Sequence, residues 1–173
     1  MPNEPNLTNT STIADDKINP AYSRPLDVHR YSNHSEVGSI VSLIWKEMYS
    51  DPENSIKRRG GAKPKSNSIE QLRVLILDLY VAWSTDPALC IGVHLSNTAW
   101  NTNSRYNALH LSRKIPGLVH SLDDYGYIQL APGSYAGPGA ATNRTARIRA
   151  AEPLRKLFRE AKFGPQHVSS APR

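Results

Sequence analysis

The sequence predicts an α+β domain, mainly α, with an extra helix at its N-terminal side, a further helix at its C-terminal side, and disordered tails. Apolar residues recur at helical spacing in four separate stretches. Two short segments alternate with period two around a glycine- and proline-rich stretch, the pattern of a hairpin. At both ends the apolar residues thin out, so little there can be buried.

The first helix is expected over about 35–48. Val37, Ile40, Val41, Ile44, Trp45 and Met48 fall on one helical stripe. Asn33 and Glu36 have the spacing of a capping pair, and Asp51-Pro52 ends the helix. This stripe either packs on the domain or forms the seam of a homodimer. A polar loop follows over 51–67, with Lys57, Arg58, Arg59, Lys63 and Lys65 among Gly60, Gly61 and Pro64. Such a composition cannot pack; it reads either as a solvated surface loop or as a phosphate-contacting arm.

A central helix is expected over 69–83, with Ile69, Leu72, Leu75, Ile76, Leu79, Tyr80 and Trp83 on a wide apolar face. Ser68 and Gln71 have capping-box spacing, and Thr85-Asp86-Pro87 stops the helix. Residues 89–95 read as a short strand with one buried face, Ile91, Val93 and Leu95 alternating with Cys90, Gly92 and His94. Residues 96–110 are rich in Asn, Ser and Thr, with Trp100 read as a core or insert anchor; they form a short helix near 105–109 or an irregular insert.

The next helix opens at Ser112-Arg113-Lys114 and places Ile115, Leu118, Val119 and Leu122 on one face. Pro116 is tolerated because first-turn N–H groups have no helical partner. Gly126 is placed for the left-handed position after the helix, and a strand begins at Tyr127. Gly133, Gly137 and Gly139 with Pro132 and Pro138 make a hairpin tip. The return strand, 144–149, sets Arg144, Ala146 and Ile148 on one face and Thr145, Arg147 and Arg149 on the other. Pro153 opens a last helix with Leu154, Leu157, Phe158 and Ala161 apolar. The expected organisation is an extended or disordered arm over 1–33, a domain over 34–163 and a flexible tail over 164–173.

The formal net charge is +6 over 173 residues, with a pI of about 9.5. Residues 1–104 hold ten Lys and Arg against eleven Asp and Glu, whereas residues 105–173 hold eleven against four. The cationic excess therefore lies in the C-terminal part and points to a polyanionic partner. The single cysteine, Cys90, excludes an intrachain disulfide and any cysteine-based zinc spacing; it reads as a buried thiol. The polar N-terminus and short apolar runs give no leader or membrane span, which implies a cytoplasmic protein without membrane contact.

The segment Leu118-Val119-His120-Ser121-Leu122-Asp123-Asp124-Tyr125-Gly126-Tyr127-Ile128, preceded by Ser112-Arg113-Lys114, resembles the winged-helix superfamily. The resemblance covers about residues 68–163. It implies a winged helix-turn-helix whose helix from Ser112 is the recognition helix. Arg113, Lys114, Gly117, His120 and Ser121 would then face the major groove of double-stranded DNA. The glycine-rich tip with Tyr135, flanked by Arg144, Arg147 and Arg149, would be a wing on the backbone or minor groove. Arg105 would support the recognition helix or touch a phosphate. The basic strand and the helix behind the wing look like those of mobile-element replication initiators. The expected function is regulation of transcription or replication of a plasmid- or phage-like element. One departure is that residues 97–110 are a poor helix sequence where such domains carry a helix.

The alternatives are a protein-interaction module on the same scaffold and a DNA-processing enzyme. Catalysis fits poorly, because the six histidines are scattered and neither a phosphate loop nor a nucleophile elbow occurs. No cofactor or metal is expected. Arg113 and Lys114 also read as a solvated first turn, and Arg144, Arg147 and Arg149 as edge-strand charges.

Overall fold

A computed structural model describes residues 17–27, 34–50, 66–96, 100, 111, 114–133 and 145–164. They form a mixed α+β fold. Its delimited helices are α1 (Glu36–Ser50), α2 (Ser66–Thr85), α3 (Lys114–Asp124) and α4 (Glu152–Phe163). Its strands are β1 (Ser23–Pro25), β2 (Cys90–Val93), β3 (Ile128–Ala131) and β4 (Ala146–Ala150), in the sheet order β1-β2-β4-β3. β2 and β4 are antiparallel, as are β4 and β3, with Ile148 opposite both Ile91 and Leu130.

α1 buries the expected stripe: Val37, Ile40, Val41, Ile44 and Met48 all join the core. It packs on α2 and α4, so this stripe is covered within the chain. α2 lies at the centre, with Leu72, Leu75 and Ile76 fully buried. It begins at Ser66, so Ser68 sits inside the first turn and not ahead of the helix as a capping box requires. After Thr85 the chain is turned by Asp86, whose carboxylate accepts the Ala88 N–H at 2.8 Å and whose carbonyl accepts the Leu89 N–H at 3.0 Å. α4 starts after Ala151 with Pro153 in its first turn, and buries Leu154 and Phe158. The Phe158 ring meets those of Tyr80 and Trp83 at 5.2 and 5.5 Å.

The strand after α2 differs from the expected one-sided strand. Cys90, Ile91, Gly92 and Val93 are all buried, because β2 is an inner strand covered on both faces. Ile91 and Val93 face the core with Ala146 and Ile148. On the opposite face Gly92 lies beneath Arg147; a Cβ at Gly92 would stand 3.2 Å from Thr145 Oγ1 and 3.3 Å from Arg147 Nη1. The Cys90 thiol is buried as expected, and that burial raises its pKa.

β1 is the element that sequence patterning did not anticipate. Within the expected N-terminal arm, Ser23–Pro25 pairs in parallel with Cys90–Gly92. The Cys90 N–H donates to the Tyr22 carbonyl at 3.0 Å and the Leu26 N–H to the Gly92 carbonyl at 3.2 Å. Leu26 is buried, and Arg24 reaches from the strand to Asp78 on α2. Of the expected loop over 51–67, residues 51–65 lie outside the described residues, whereas Ser66 and Asn67 open α2. Most of the insert over 96–110 and of the hairpin tip over 131–143, and residues 1–16, 28–33 and 165–173 of the arm and tail, also lie outside them. Trp100 is helical and buried in the core, and its indole N–H donates to the His94 carbonyl at 2.8 Å.

Candidate nucleic-acid interface

The helical period divides α3 into two faces. Ile115, Pro116, Leu118, Val119 and Leu122 are buried, holding the helix against α2 and β3. Lys114, Gly117, His120 and Ser121 share the other face; Gly117 and His120 are exposed, Lys114 and Ser121 half-buried. Pro116 sits in the first turn, where its missing N–H removes no helical bond. Asp123 and Asp124 are exposed at the far end. The outer face thus runs from a cation at its N-terminal end to two carboxylates at its C-terminal end.

The end of α3 is fixed by a Schellman motif. Gly126 has φ +73°, its N–H donates to the Asp123 carbonyl at 2.9 Å, and the Tyr127 N–H donates to the Leu122 carbonyl at 2.9 Å. These two bonds satisfy carbonyls that the helix leaves open, and the positive φ favours glycine. The chain enters β3 directly, so the outer face of α3 and the β3–β4 hairpin are rigidly joined. Two contacts brace the junction against α1: the Tyr127 hydroxyl donates to the Glu47 carboxylate, and the Tyr125 hydroxyl to the Met48 carbonyl at 3.5 Å. Burial, reinforced by the Glu47 bond, raises the Tyr127 pKa, so the phenol stays a donor at neutral pH.

The hairpin arginines take a different place from the one expected. Arg149 is only 2% exposed, and its Nε and Nη2 donate to Gln129 Oε1 at 2.9 and 2.6 Å. A guanidinium so covered cannot reach a phosphate without breaking the sheet's polar face; this side chain ties β4 to β3. Arg147 is half-buried and spans the sheet over Gly92, donating to Ser23 Oγ at 2.7 Å and to the Thr145 carbonyl at 2.6 Å. Over the described residues 145–149 the alternation gives the two faces as expected, but on the face carrying Arg147 and Arg149 the first is half-buried and the second buried. Arg105, Arg113, Tyr135, Arg144, Lys57, Arg58, Arg59, Lys63 and Lys65 lie outside the described residues.

Sequence reasoning missed the ion pair between β1 and α2. Arg24 donates to both oxygens of Asp78, at 2.6 and 2.9 Å, and the Asp78 side chain is fully buried. The available signal was a single carboxylate inside an otherwise apolar helix, Leu77-Asp78-Leu79. Among the described residues no group of His, Cys, Asp and Glu comes together as metal donors. No helix among them is long and apolar enough to cross a membrane. Comparisons with protein-family models, with characterised proteins and with solved structures gave no match.

Proposed function

We propose that this chain binds double-stranded DNA through a winged-helix domain, without catalysing a reaction, and regulates transcription or replication of a plasmid- or phage-like element. The observation that carries the reading is α3: one face is clamped in the core, the other is polar and open, and its capped end leads directly into a β-hairpin. The order α2, β2, α3, β3, β4, with β4 between β2 and β3, supports this reading; the segment in which such domains carry a further helix, 97–110, lies outside the described residues except for Trp100. The cationic excess of residues 105–173 suits a polyanion. On this reading the N-terminal end of α3, at Lys114, points toward bases and phosphates, while Asp123 and Asp124 repel the backbone and fix the helix's orientation.

The test is fluorescence anisotropy of the full chain with random and selected duplexes across a salt series. Affinity that falls steeply with salt, with a selected site favoured over random DNA by about a thousandfold or more, supports a specific regulator. Weak binding without sequence preference overturns it and favours the second reading, a protein-interaction module. That reading draws on the exposed carboxylates Asp123 and Asp124 at the other end of α3 from Lys114, a mixed-charge face suited to a protein partner.

A further inference from the structure

On the face of the sheet opposite the core, Arg147 is half-buried and held by neutral oxygens alone. Its Nε donates to Ser23 Oγ at 2.7 Å, and its Nη1 to the Thr145 carbonyl at 2.6 Å and the Ala146 carbonyl at 3.5 Å. The residue beside Ser23, Arg24, takes the buried carboxylate of Asp78; Arg147 pairs with no carboxylate among the described residues. A guanidinium withdrawn from water without a counter-charge is unfavourable, and a neutral side chain there would avoid that penalty. Three donors around it are also left open. Arg147 Nη2 and the Thr145 hydroxyl make no hydrogen bond, and neither is a buried orphan, so both reach solvent. The Ser23 hydroxyl accepts from Nε and donates to no protein group. Because Nε and Nη2 share one edge of the planar guanidinium, that hydroxyl flanks Nη2. Thr145 Oγ1 and Arg147 Nη1 converge on Gly92, 3.2 and 3.3 Å from where its Cβ would stand, so a glycine there lets both lie against the backbone of β2.

We propose that Arg147, Ser23 and Thr145 form a binding site for a phosphate group, seated on the guanidinium where β1, β2 and β4 lie side by side. The inference does not depend on the DNA-binding reading of α3. A phosphate supplies what the site lacks: negative charge, and enough acceptor oxygens for a guanidinium edge and two hydroxyls at once. Arg149, two residues along β4, adds positive charge to the same face. His94, two residues beyond Gly92, reports on the site. Burial and then the Arg147 charge lower its pKa, so an anion on Arg147 acts on it directly. The phosphate belongs either to a free phosphate or small phosphomonoester, or to the backbone of DNA.

The experiment titrates the full-length chain with inorganic phosphate, with glycerol phosphate and with a random DNA duplex, each against sodium chloride at matched ionic strength. The His94 ring is followed by NMR, and thermal unfolding checks that each variant is folded. Phosphate should raise the His94 pKa where chloride does not. Arg147→Lys keeps the charge but loses the planar fork, and should weaken phosphate binding by about tenfold. Arg147→Gln should abolish it. Thr145→Val removes one donor without touching the guanidinium and should also weaken binding by about tenfold; it decides the matter if the Arg147 variants do not fold. Lys156→Gln, a change at an exposed cation of α4, should bind as the wild type does. A response to the two small phosphates and not to the duplex assigns the site to free phosphate or a phosphomonoester; a response to the duplex assigns it to backbone phosphate. No response of His94 to any of the three, or wild-type affinity in Arg147→Gln or Thr145→Val, overturns the inference. Duplex binding that leaves His94 unmoved keeps the DNA-binding reading and removes this one, whereas phosphate binding without duplex binding does the reverse.

Discussion

Replacing Arg24 by alanine removes a guanidinium from a buried carboxylate. The Asp78 side chain is 0% exposed and Arg24 26%. Burial raises the Asp78 pKa, while the Arg24 hydrogen bonds, the Asp27 N–H at 3.0 Å and the Arg24 charge pull it down. The net direction is upward, so desolvation already outweighs attraction in the wild type. Arg24→Ala leaves the Asp27 N–H as the remaining described partner of a buried charge. Breaking a buried pair in this way costs about 3–5 kcal/mol. Arg24 itself is partly solvated, so the expected loss at neutral pH is near the lower end, about 3 kcal/mol, or a fall in Tm of about 6–12 °C. The loss should shrink as pH falls. An acid whose folded pKa is raised binds its proton more tightly when folded, so its contribution to stability is largest below the unfolded pKa and declines as pH rises through the folded pKa. Without Arg24 the folded pKa rises further, and protonation relieves the buried charge at a higher pH than in the wild type. Urea unfolding of the wild type, Arg24→Ala and Arg24→Ala/Asp78→Asn at several pH values measures this. The double variant should recover part of the loss at neutral pH. A destabilisation that does not change with pH, or a double variant less stable than Arg24→Ala, would refute the reasoning.

Gly126→Ala forces a side chain into the left-handed region at the end of α3 and should cost about 1–2 kcal/mol of stability, read by thermal unfolding. Gly92→Ala should destabilise the fold because Thr145 and Arg147 must shift, and combining it with Arg147→Ala should cost less than the sum of the two single changes. On the DNA-binding reading, Lys114→Ala should reduce the slope of log affinity against log salt by about one. Arg149→Ala should instead lower Tm by loss of the Gln129 bonds while leaving that slope unchanged.

What the sequence made legible was local. The α1 stripe, the inner face of α3 and the turn at Gly126 each depend on residues within a few positions of one another, and each occurs where periodicity and cap chemistry place it. The inward face of β4 follows from alternation alone. What stayed hidden depends on distant partners. β1 is three residues long and pairs with a strand that begins 67 positions after its own first residue, so no local pattern announces it. Arg149 looks like a surface cation until Gln129 is known to lie opposite it. Asp78 looks like the polar edge of an amphipathic helix, but α2 is buried around most of its girth, including Leu77 and Tyr80. Of the candidate interface, the face of α3 could be read from period and caps, whereas the fate of the hairpin arginines could not.

The parallel pairing of β1 with β2 also sets the order in which the chain can assemble during synthesis. β1 is made first yet has no neighbour until Cys90 appears, and β2 in turn lacks its second neighbour until Ala146–Ala150 has been made. A nascent chain that has emerged as far as α3 can form its helices but cannot complete the sheet. The apolar faces of α1, α2 and α3 must be kept from other chains over that interval, and sheet closure waits until β4 has been made.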